Sequence, residues 1–403
     1  MRKIFIAIIG VVVSLALVTS LLYSAFIANQ TDYSTQLTSV MEEKWAAYAS
    51  DKPGFNGSLT MQIMSPKGEF FVTANPADNL TQNVHFRGAS TTKTFTAASI
   101  LLLHQEGKLN IDDKITQTIS GKDITYVPDS ADYAIPFKDN ITIRQLLGHT
   151  AGVFDISNTN IPSNASAVYA GKNYLDYIKE SQPEHTFTFD ECVGVVASNQ
   201  LAYFPPGEGA HYSNTGYSIL GKIIERASGM NYTTFVEQRL LQPNGLDDTY
   251  FVALGSERQL PAPYVTGYTY VNGELMETTE DNMSPHNAEG NVITTPNNLC
   301  KWGKLLYSGQ AGVNQDLVAL MVDVKPTGEE HVVYGLGTEY AEGLGFGHNG
   351  AHVGYLTVMC YDEQTDTAIV ISASVLNVDD LYGQLDAMYG IGRQAKQVLG
   401  YGT

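Results

Sequence analysis

Strand-like patterns lie at the two ends of this chain, and a long stretch rich in helices and loops separates them. The strand patterns cover residues 58–64, 69–73, 352–361 and 366–374. The first two are joined by Ser65-Pro66-Lys67-Gly68, a turn signal that predicts an antiparallel hairpin. We therefore predict an α/β domain formed by residues 31–105 and 285–403, interrupted by a mostly helical insertion over residues 106–284.

A strongly apolar helix is predicted over residues 90–105, and it begins with Ser90-Thr91-Thr92-Lys93. Apolar residues surround this helix on nearly all sides, which indicates a buried, central position. Because residues i and i+3 share a helix face, Lys93 can polarise the Ser90 hydroxyl and help to remove its proton. The helix N-terminus favours developing negative charge nearby. Alone, this pattern is one that chance supplies about once or twice in a chain of this length.

Tyr212 and Asn214 form a second candidate pair, just before a helix predicted over residues 215–228. A tyrosine whose pKa is lowered by a neighbouring ammonium can act as general base and then as acid. The Asn214 amide can orient both the lysine and a substrate carbonyl. The alternative interpretation is that Tyr212 is only a packed aromatic side chain. The pattern Tyr-x-Asn is not specific by itself, because it also occurs at residues 270–272.

Glycines are dense between residues 345 and 355, beside a predicted strand, and they allow close approach of a ligand to the backbone. The N–H of Ala351 can pair with that of Ser90 as an oxyanion hole. His348 can supply a proton or a charge beside such a site, although His352 also fits the pattern His-x-Gly. The alternatives are incidental histidines in a glycine turn, or a metal pair. A metal site lacks a clear third ligand, so none is predicted.

Ser90-x-x-Lys93, Tyr212-x-Asn214 and His348-x-Gly350, in that order, resemble the three active-site motifs of penicillin-recognising serine hydrolases. The branch that they resemble includes class C β-lactamases, DD-carboxypeptidases, D-aminopeptidases and related esterases. The similarity covers about residues 35–400 and includes the segments 86–97, 106–113, 141–152 and 289–295. It implies an α+β fold with an antiparallel β-sheet flanked by helices, an inserted helical subdomain, a site in the groove between them, and no cofactor.

The resemblance also implies roles for the residues that match its first two motifs. Ser90 attacks the substrate carbonyl and forms an acyl-enzyme. Lys93 and Tyr212 share proton transfer, and Asn214 positions Lys93 and the substrate. His149 lies in a recurrent loop of the family and is interpreted as structural.

In the third motif, the resemblance implies that His348 replaces the lysine of a Lys-Thr-Gly sequence, and the spacing to residues 354–355 favours His348 over His352. The oxyanion is held by the N–H groups of Ser90 and Ala351, and Gly350 and Asn349 contribute to substrate binding. The β-lactamase version has threonine where this chain has Asn349. That hydroxyl helps to bind the substrate carboxylate, so its replacement argues against efficient β-lactam hydrolysis.

The function expected from the resemblance is hydrolysis of amide or ester bonds in a peptide or small acyl substrate, such as a cell-wall peptide. A DD-carboxypeptidase-like or D-aminopeptidase-like peptidase is the first expectation. A β-lactamase or esterase of the same family is the alternative within the class. A penicillin-binding or sensor protein that is acylated without turnover is the alternative outside it.

The N-terminus predicts the location of the protein. Residues 1–3 are Met-Arg-Lys, and residues 4–28 are uncharged and apolar, a length of about 25 residues that spans a bilayer as a helix. The basic end is expected to stay in the cytoplasm, which places the rest outside it. We predict an uncleaved single-span anchor over residues 1–30, with the hydrolase domain over residues 31–403. A cleaved signal segment, which would leave a secreted protein, is the alternative.

Charge and cysteine content exclude several other classes. The formal net charge is −19, which repels polyphosphate and argues against nucleic-acid binding. Membrane contact is therefore expected only through the N-terminal segment, and oligomeric state is left open. Cys192, Cys300 and Cys360 form no zinc-type cluster. Buried thiols are favoured over a single disulfide bridge.

Overall fold

A computed structural model of the chain describes residues 32–76, 80–328 and 333–402. The anchor predicted over residues 1–30 lies outside this part. Within it, none of the helices combines the length and the apolar composition needed to cross a membrane.

Helices and strands are numbered in chain order through the described residues. The helices are α1 (32–49), α2 (Thr92–Gln105), α3 (Ile143–Leu147), α4 (Tyr174–Ser181), α5 (Phe189–Asn199), α6 (Asn214–Ser228), α7 (Tyr232–Val236), α8 (Pro296–Tyr307), α9 (Gln315–Met321) and α10 (Leu381–Val398). The strands are β1 (Leu59–Ser65), β2 (Gly68–Ala74), β3 (Phe86–Ala89), β4 (Tyr250–Phe251), β5 (Tyr268–Val271), β6 (Glu274–Glu277), β7 (Val292–Thr294), β8 (Lys325–Pro326), β9 (Val333–Tyr334), β10 (Glu339–Ala341), β11 (Gly345–His352), β12 (Tyr355–Asp362), β13 (Thr367–Ala373) and β14 (Val375–Asn377).

The largest sheet of the described chain has eight strands in the order β2-β1-β13-β12-β11-β10-β9-β8. Its pairs are antiparallel, and β1 from the first part of the chain pairs with β13 from the last part, with Leu59 opposite Ala373. The two ends of the chain therefore complete one sheet. This confirms the predicted mixed fold with an antiparallel sheet.

Helices cover both faces of this sheet because its strands alternate apolar side chains between the two faces. On β12, Val358 belongs to a core that also contains Trp45 of α1 and Met388 of α10. Its neighbour Met359 belongs to the opposite core, with Phe95 of α2 and residues of α8. The helices of the middle region, α3 to α7, extend this second core away from the sheet. Helix α2 thus lies between the sheet and the middle helices, which places its N-terminus in the cleft between them.

A short sheet, ordered β3-β7-β4, lies beside the N-terminus of α2. In it, β3 runs antiparallel to β7, with Phe86 opposite Thr294, and Ala89 forms a bridge with Asn291. This pairing brings the segment before β7 alongside the residues that lead into α2. Residues about 200 positions apart in the sequence therefore meet at the start of α2.

The structure differs from the sequence-based expectation in the glycine-rich segment. Residues 345–352 form strand β11, and the strand predicted from residue 352 begins at Tyr355 after a two-residue turn. Glycine has low β-propensity, so the pattern of residues 345–352 did not indicate a strand. The thiols of Cys192, Cys300 and Cys360 are buried and unbridged, as favoured from the sequence.

Candidate active site

Ser90 lies in a sharp turn between β3 and α2. Ala89 has φ +48°, in the left-handed region that side chains with a Cβ seldom adopt. The Lys93 N–H donates to the Ser90 carbonyl oxygen at 3.0 Å, and Ser90 stands two residues before Thr92, the first residue of α2. The sequence placed Ser90 within the helix. The strained turn instead projects its hydroxyl out of the helix N-terminus, while Lys93 stays one turn away.

Lys93 is fully buried and joins the parts of the site. Its Nζ donates to Asn214 Oδ1 at 2.7 Å and to the Glu289 carbonyl oxygen at 2.8 Å, and it lies 3.2 Å from Ser90 Oγ. Burial lowers the pKa of the Lys93 ammonium, and the nearby Glu289 carboxylate opposes that shift. The lowered pKa favours the neutral amine, which is the form that accepts the proton of Ser90.

Glu289 is a member of the site that the motifs did not reveal. Its Oε2 lies 3.4 Å from Lys93 Nζ, and its Oε1 lies 2.6 Å from His286 Nδ1. Burial raises the pKa of Glu289, but His286 and Lys93 outweigh that effect and the net pKa is lowered. The carboxylate is therefore ionised and holds the Lys93 amine in place. The sequence resemblance included residues 289–295 but gave Glu289 no role. The β-bridge between Ala89 and Asn291 brings Glu289 next to the start of α2, where it reaches Lys93.

Tyr212 packs against Lys93 through its ring. Lys93 Nζ lies 4.7 Å from the ring centroid, and the His149 ring covers Tyr212 at 4.3 Å. Burial raises the pKa of Tyr212 well above 10; the Ser90 hydroxyl lowers it, and the Glu339 carboxylate raises it further. The expectation of a lowered tyrosine pKa is therefore wrong, because burial has the largest influence on the pKa of this phenol. Tyr212 is a protonated phenol, suited to donate or relay a proton rather than to start as the base.

Asn214 is held in a fixed orientation at the start of α6. Its Oδ1 accepts from Lys93, and its Nδ2 donates to Asp155 Oδ2 at 3.4 Å. Asp155, also missed from the sequence, is buried, and burial raises its pKa to about 6. His149 supports the same segment, because its Nδ1 accepts from the Ser213 N–H at 3.1 Å. This contact agrees with the structural interpretation of His149.

Strand β11 approaches Ser90 at Gly350, beside the N–H of Ala351 that the sequence analysis assigned to an oxyanion hole. The Asn349 N–H points away from β12, since it donates to the Glu339 carboxylate at 3.3 Å. Because N–H directions repeat every second residue along a strand, the Ala351 N–H also points away from β12. Its pairing with the Ser90 N–H as an oxyanion hole stays a prediction. Glycine at position 350 allows β11 to approach the Ser90 turn closely. A Cβ at this position would lie 3.0 Å from the Ser90 nitrogen and would overlap the Gly88 carbonyl oxygen.

The His348 ring lies near Tyr212, but its hydrogen bond goes to Tyr334 and not to Ser90. Its Nε2 is 2.9 Å from the Tyr334 hydroxyl, and its ring centroid is 6.3 Å from that of Tyr212. Burial, reinforced by the Lys93 charge, lowers the pKa of His348 to about 3. A positive charge at His348 is therefore not supported. The neutral imidazole orients Tyr334, another residue that the motifs did not reveal.

Asn349 is turned away from the cleft. Its Nδ2 donates to Glu339 Oε2 at 2.7 Å, and its strand partner Val358 belongs to the core beside α10. The structure therefore does not place the Asn349 side chain where it could bind substrate, as expected from the resemblance. The alternation of side chains along β11 explains this, because His348 and Gly350 occupy the cleft face and Asn349 the opposite one.

A comparison with known protein families agrees with this geometry. The family model described as Beta-lactamase matches residues 72–384. The chain belongs to the Beta-lactamase family. This confirms the resemblance identified in the sequence.

Among the residues that the structure describes, no cluster of three or more histidine, cysteine or acidic side chains has an arrangement able to hold a metal ion.

Individual relatives of this Beta-lactamase family member agree with the assignment. Penicillin-binding protein 4* of Bacillus subtilis (strain 168) is 28% identical over 311 residues, which are 73% of this chain and 61% of that protein. The matched region is thus less than two thirds of that relative's length. In fold, the chain is similar to a D-stereospecific amidohydrolase from Streptomyces sp. (23% identity, TM-score 0.70, covering 87% of this chain and 96% of the other). It is also similar to D-amino acid amidase from Ochrobactrum anthropi SV3 (24% identity, TM-score 0.72, covering 92% and 98%).

Proposed function

We propose that this protein is a serine hydrolase that cleaves amide or ester bonds through an acyl-enzyme on Ser90. One observation carries the proposal: Lys93 Nζ lies 3.2 Å from Ser90 Oγ, and Gly350 of β11 lies against the Ser90 nitrogen. This geometry supports a nucleophile with its base at Ser90 and Lys93, and we infer that the N–H groups of Ser90 and Ala351 supply the oxyanion donors that acyl transfer requires.

The proposed reaction has two displacements. In the first, Ser90 Oγ forms a bond to the substrate carbonyl carbon while its proton passes to Lys93. The N–H groups of Ser90 and Ala351 stabilise the oxyanion. The bond to the leaving amine or alcohol then breaks, and that group receives the proton through the Lys93–Tyr212 pair. In the second displacement, water gives up a proton to the same pair and attacks the ester carbon. The bond from that carbon to Ser90 Oγ then breaks, the pair returns the proton to Ser90 Oγ, and the acid is released.

We further propose that the substrates are amides or peptides of D-amino acids. The support comes from the names of the two fold neighbours, a D-stereospecific amidohydrolase and a D-amino acid amidase. Peptide hydrolysis at D-residues, of the carboxypeptidase or aminopeptidase kind, is the finer form of this proposal.

A turnover panel tests this function. We expect hydrolysis of D-alanine p-nitroanilide at a kcat/KM at least about tenfold above that of the L-enantiomer and of a chromogenic cephalosporin, since one misplaced group at a chiral centre costs about 1.4 kcal/mol or more. D-Ala-D-Ala peptides and p-nitrophenyl acetate complete the panel. Faster turnover of the cephalosporin or of the ester would indicate a β-lactamase or an esterase. A stable penicillin adduct on Ser90 without any turnover would indicate a sensor protein.

We also propose that residues 1–30 anchor the domain of residues 31–403 on the outer side of the cytoplasmic membrane. The support is the uncharged, apolar run over residues 4–28 that follows Arg2 and Lys3. The full chain is expected in the membrane fraction after alkaline carbonate extraction. Leu15→Arg combined with Leu17→Arg is expected to release it, because each central arginine costs about 3 kcal/mol on insertion. Carbonate extraction of the unaltered chain would contradict the anchor.

A further inference from the structure

The cleft face of β11 carries an imidazole on each side of the nucleophile. His348, Gly350 and His352 share this face because side chains alternate along a strand. With about 3.3 Å per residue, the two histidines stand roughly 13 Å apart with Gly350 between them. Gly350 lies against the Ser90 nitrogen. A substrate bound at Ser90 therefore extends toward His348 at one end of the cleft and toward His352 at the other.

The two ends of the cleft serve different parts of the substrate. Tyr212 lies at the His348 end, where the rings of His149 and Tyr334 enclose it at 4.3 and 6.1 Å. The leaving group must receive its proton from the Lys93–Tyr212 pair, so it lies at this end. The acyl part of the substrate therefore extends toward His352.

His352 presents a hydrogen-bond acceptor to the acyl part. Its Nε2 is 2.8 Å from Asp281 Oδ2, and the opposite carboxylate oxygen of Asp281 lies 3.6 Å from Lys179 Nζ. An ionised carboxylate only accepts, so Nε2 carries the proton and Nδ1 carries a lone pair. Burial lowers the pKa of His352 to about 4, which keeps the ring neutral. Among the described residues, none hydrogen-bonds to its Nδ1.

His286 lies beside His352 in a similar arrangement. Its Nδ1 faces Glu289 Oε1 at 2.6 Å, and its ring centroid is 5.0 Å from that of His352. The side chains of His286 and His352 are 15% and 12% exposed, so a ligand can reach them. Both rings direct one nitrogen to a carboxylate, which leaves the other nitrogen as an acceptor. The group that fits in front of them therefore brings N–H donors. A carboxylate there would face the His352 lone pair.

We propose that His352, with His286 beside it, binds the free α-amino group of the residue that acylates Ser90. This inference rests on the proposed function and narrows its substrate class to amides and peptides whose acyl residue is an unblocked amino terminus. Lys179 does not make this end of the cleft an anion site, because its ammonium is paired with Asp281. Asp281 fixes the His352 ring through Nε2, which leaves Nδ1 for a ligand.

The test compares D-alanine p-nitroanilide with its N-acetyl and N-succinyl derivatives. We expect the unaltered protein to favour the free amine over the N-acetyl substrate in kcat/KM by roughly tenfold to a hundredfold, the value of a hydrogen bond to a charged group. His352→Leu is expected to reduce this ratio to near one, and His352→Gln, which keeps a donor for Asp281 and an acceptor, to restore part of it. His104→Leu, in the last turn of α2, is the matched control and should keep the full ratio.

The outcomes separate the two proposals. If no substrate is hydrolysed and Ser90 is not acylated by p-nitrophenyl acetate, the proposed function fails. If hydrolysis depends on Ser90 but the free-amine and N-acetyl substrates react equally, only the amino-group site fails. Preference for the N-succinyl substrate would also overturn it and would indicate an anion site at Lys179. A ratio unchanged in both His352→Leu and His352→Gln would show that another residue recognises the amine.

Discussion

Ser90→Ala and Lys93→Met are each expected to lower kcat/KM for an amide substrate by about a thousandfold or more, and the double variant is expected to be no worse than either single one. The reason is that Ser90 Oγ and Lys93 Nζ, 3.2 Å apart, perform one step together: the serine has no base without the amine, and the amine has no nucleophile without the serine. Groups that act as a unit lose nearly all of their effect when one is removed. The measurement is steady-state hydrolysis, with mass spectrometry of the acyl adduct.

Lys396→Met provides the matched control for Lys93→Met. Lys396 is also buried, and its Nζ donates to the Gly343 carbonyl oxygen and to Asp362 Oδ2, both at 2.7 Å. It belongs to α10, on the face of the sheet away from Ser90. Its loss should lower the free energy of unfolding by about 3 kcal/mol and leave kcat/KM within a factor of two or three. If the losses of the two single variants multiply in the double variant, Ser90 and Lys93 do not act as one unit.

Strand β11, which the sequence analysis did not predict, differs in composition from predicted strands such as β13 for a physical reason. Residues 368–371 are apolar and mostly β-branched, and they form the centre of β13. Strand β11 contains glycine at positions where a Cβ would overlap neighbouring backbone: Met359 at Gly347, and Gly88 at Gly350. Close packing against β12 at Gly347 and close approach to the nucleophile at Gly350 therefore required a residue of poor β-propensity. Local propensity fails here because the site imposes its own steric requirement.

The motifs predicted which residues meet, but not their partners or their charge states. Ser90, Lys93, Tyr212 and Asn214 do come together, as their order and type indicated. Glu289 reaches Lys93 across 196 positions, and such a contact follows from the pairing of strands rather than from spacing. The protonation of Tyr212 follows from burial, which a four-residue motif does not express.

Gly350→Ala is expected to lower kcat by about a hundredfold to a thousandfold, with a smaller change in KM. An added Cβ would overlap the Gly88 carbonyl oxygen and lie 3.0 Å from the Ser90 nitrogen. To relieve that contact, β11 must move away from Ser90, and the two N–H donors then no longer point at one oxyanion. Loss of one such donor costs about 3 to 4 kcal/mol in the transition state and little in the ground state. Steady-state kinetics on the amide substrate measure the split between kcat and KM.

Gly390→Ala tests whether the effect belongs to the site rather than to glycine in general. Gly390 lies in α10, and a Cβ there would meet no atom within 4 Å. Alanine should therefore stabilise the helix by about 1 kcal/mol and leave kcat unchanged. Circular dichroism and the thermal midpoint check that both variants are folded. A Gly350→Ala protein that is folded and retains more than about a tenth of kcat would show that Ala351 and Ser90 are not the oxyanion donors, because the strand displacement would then have had no effect on the transition state.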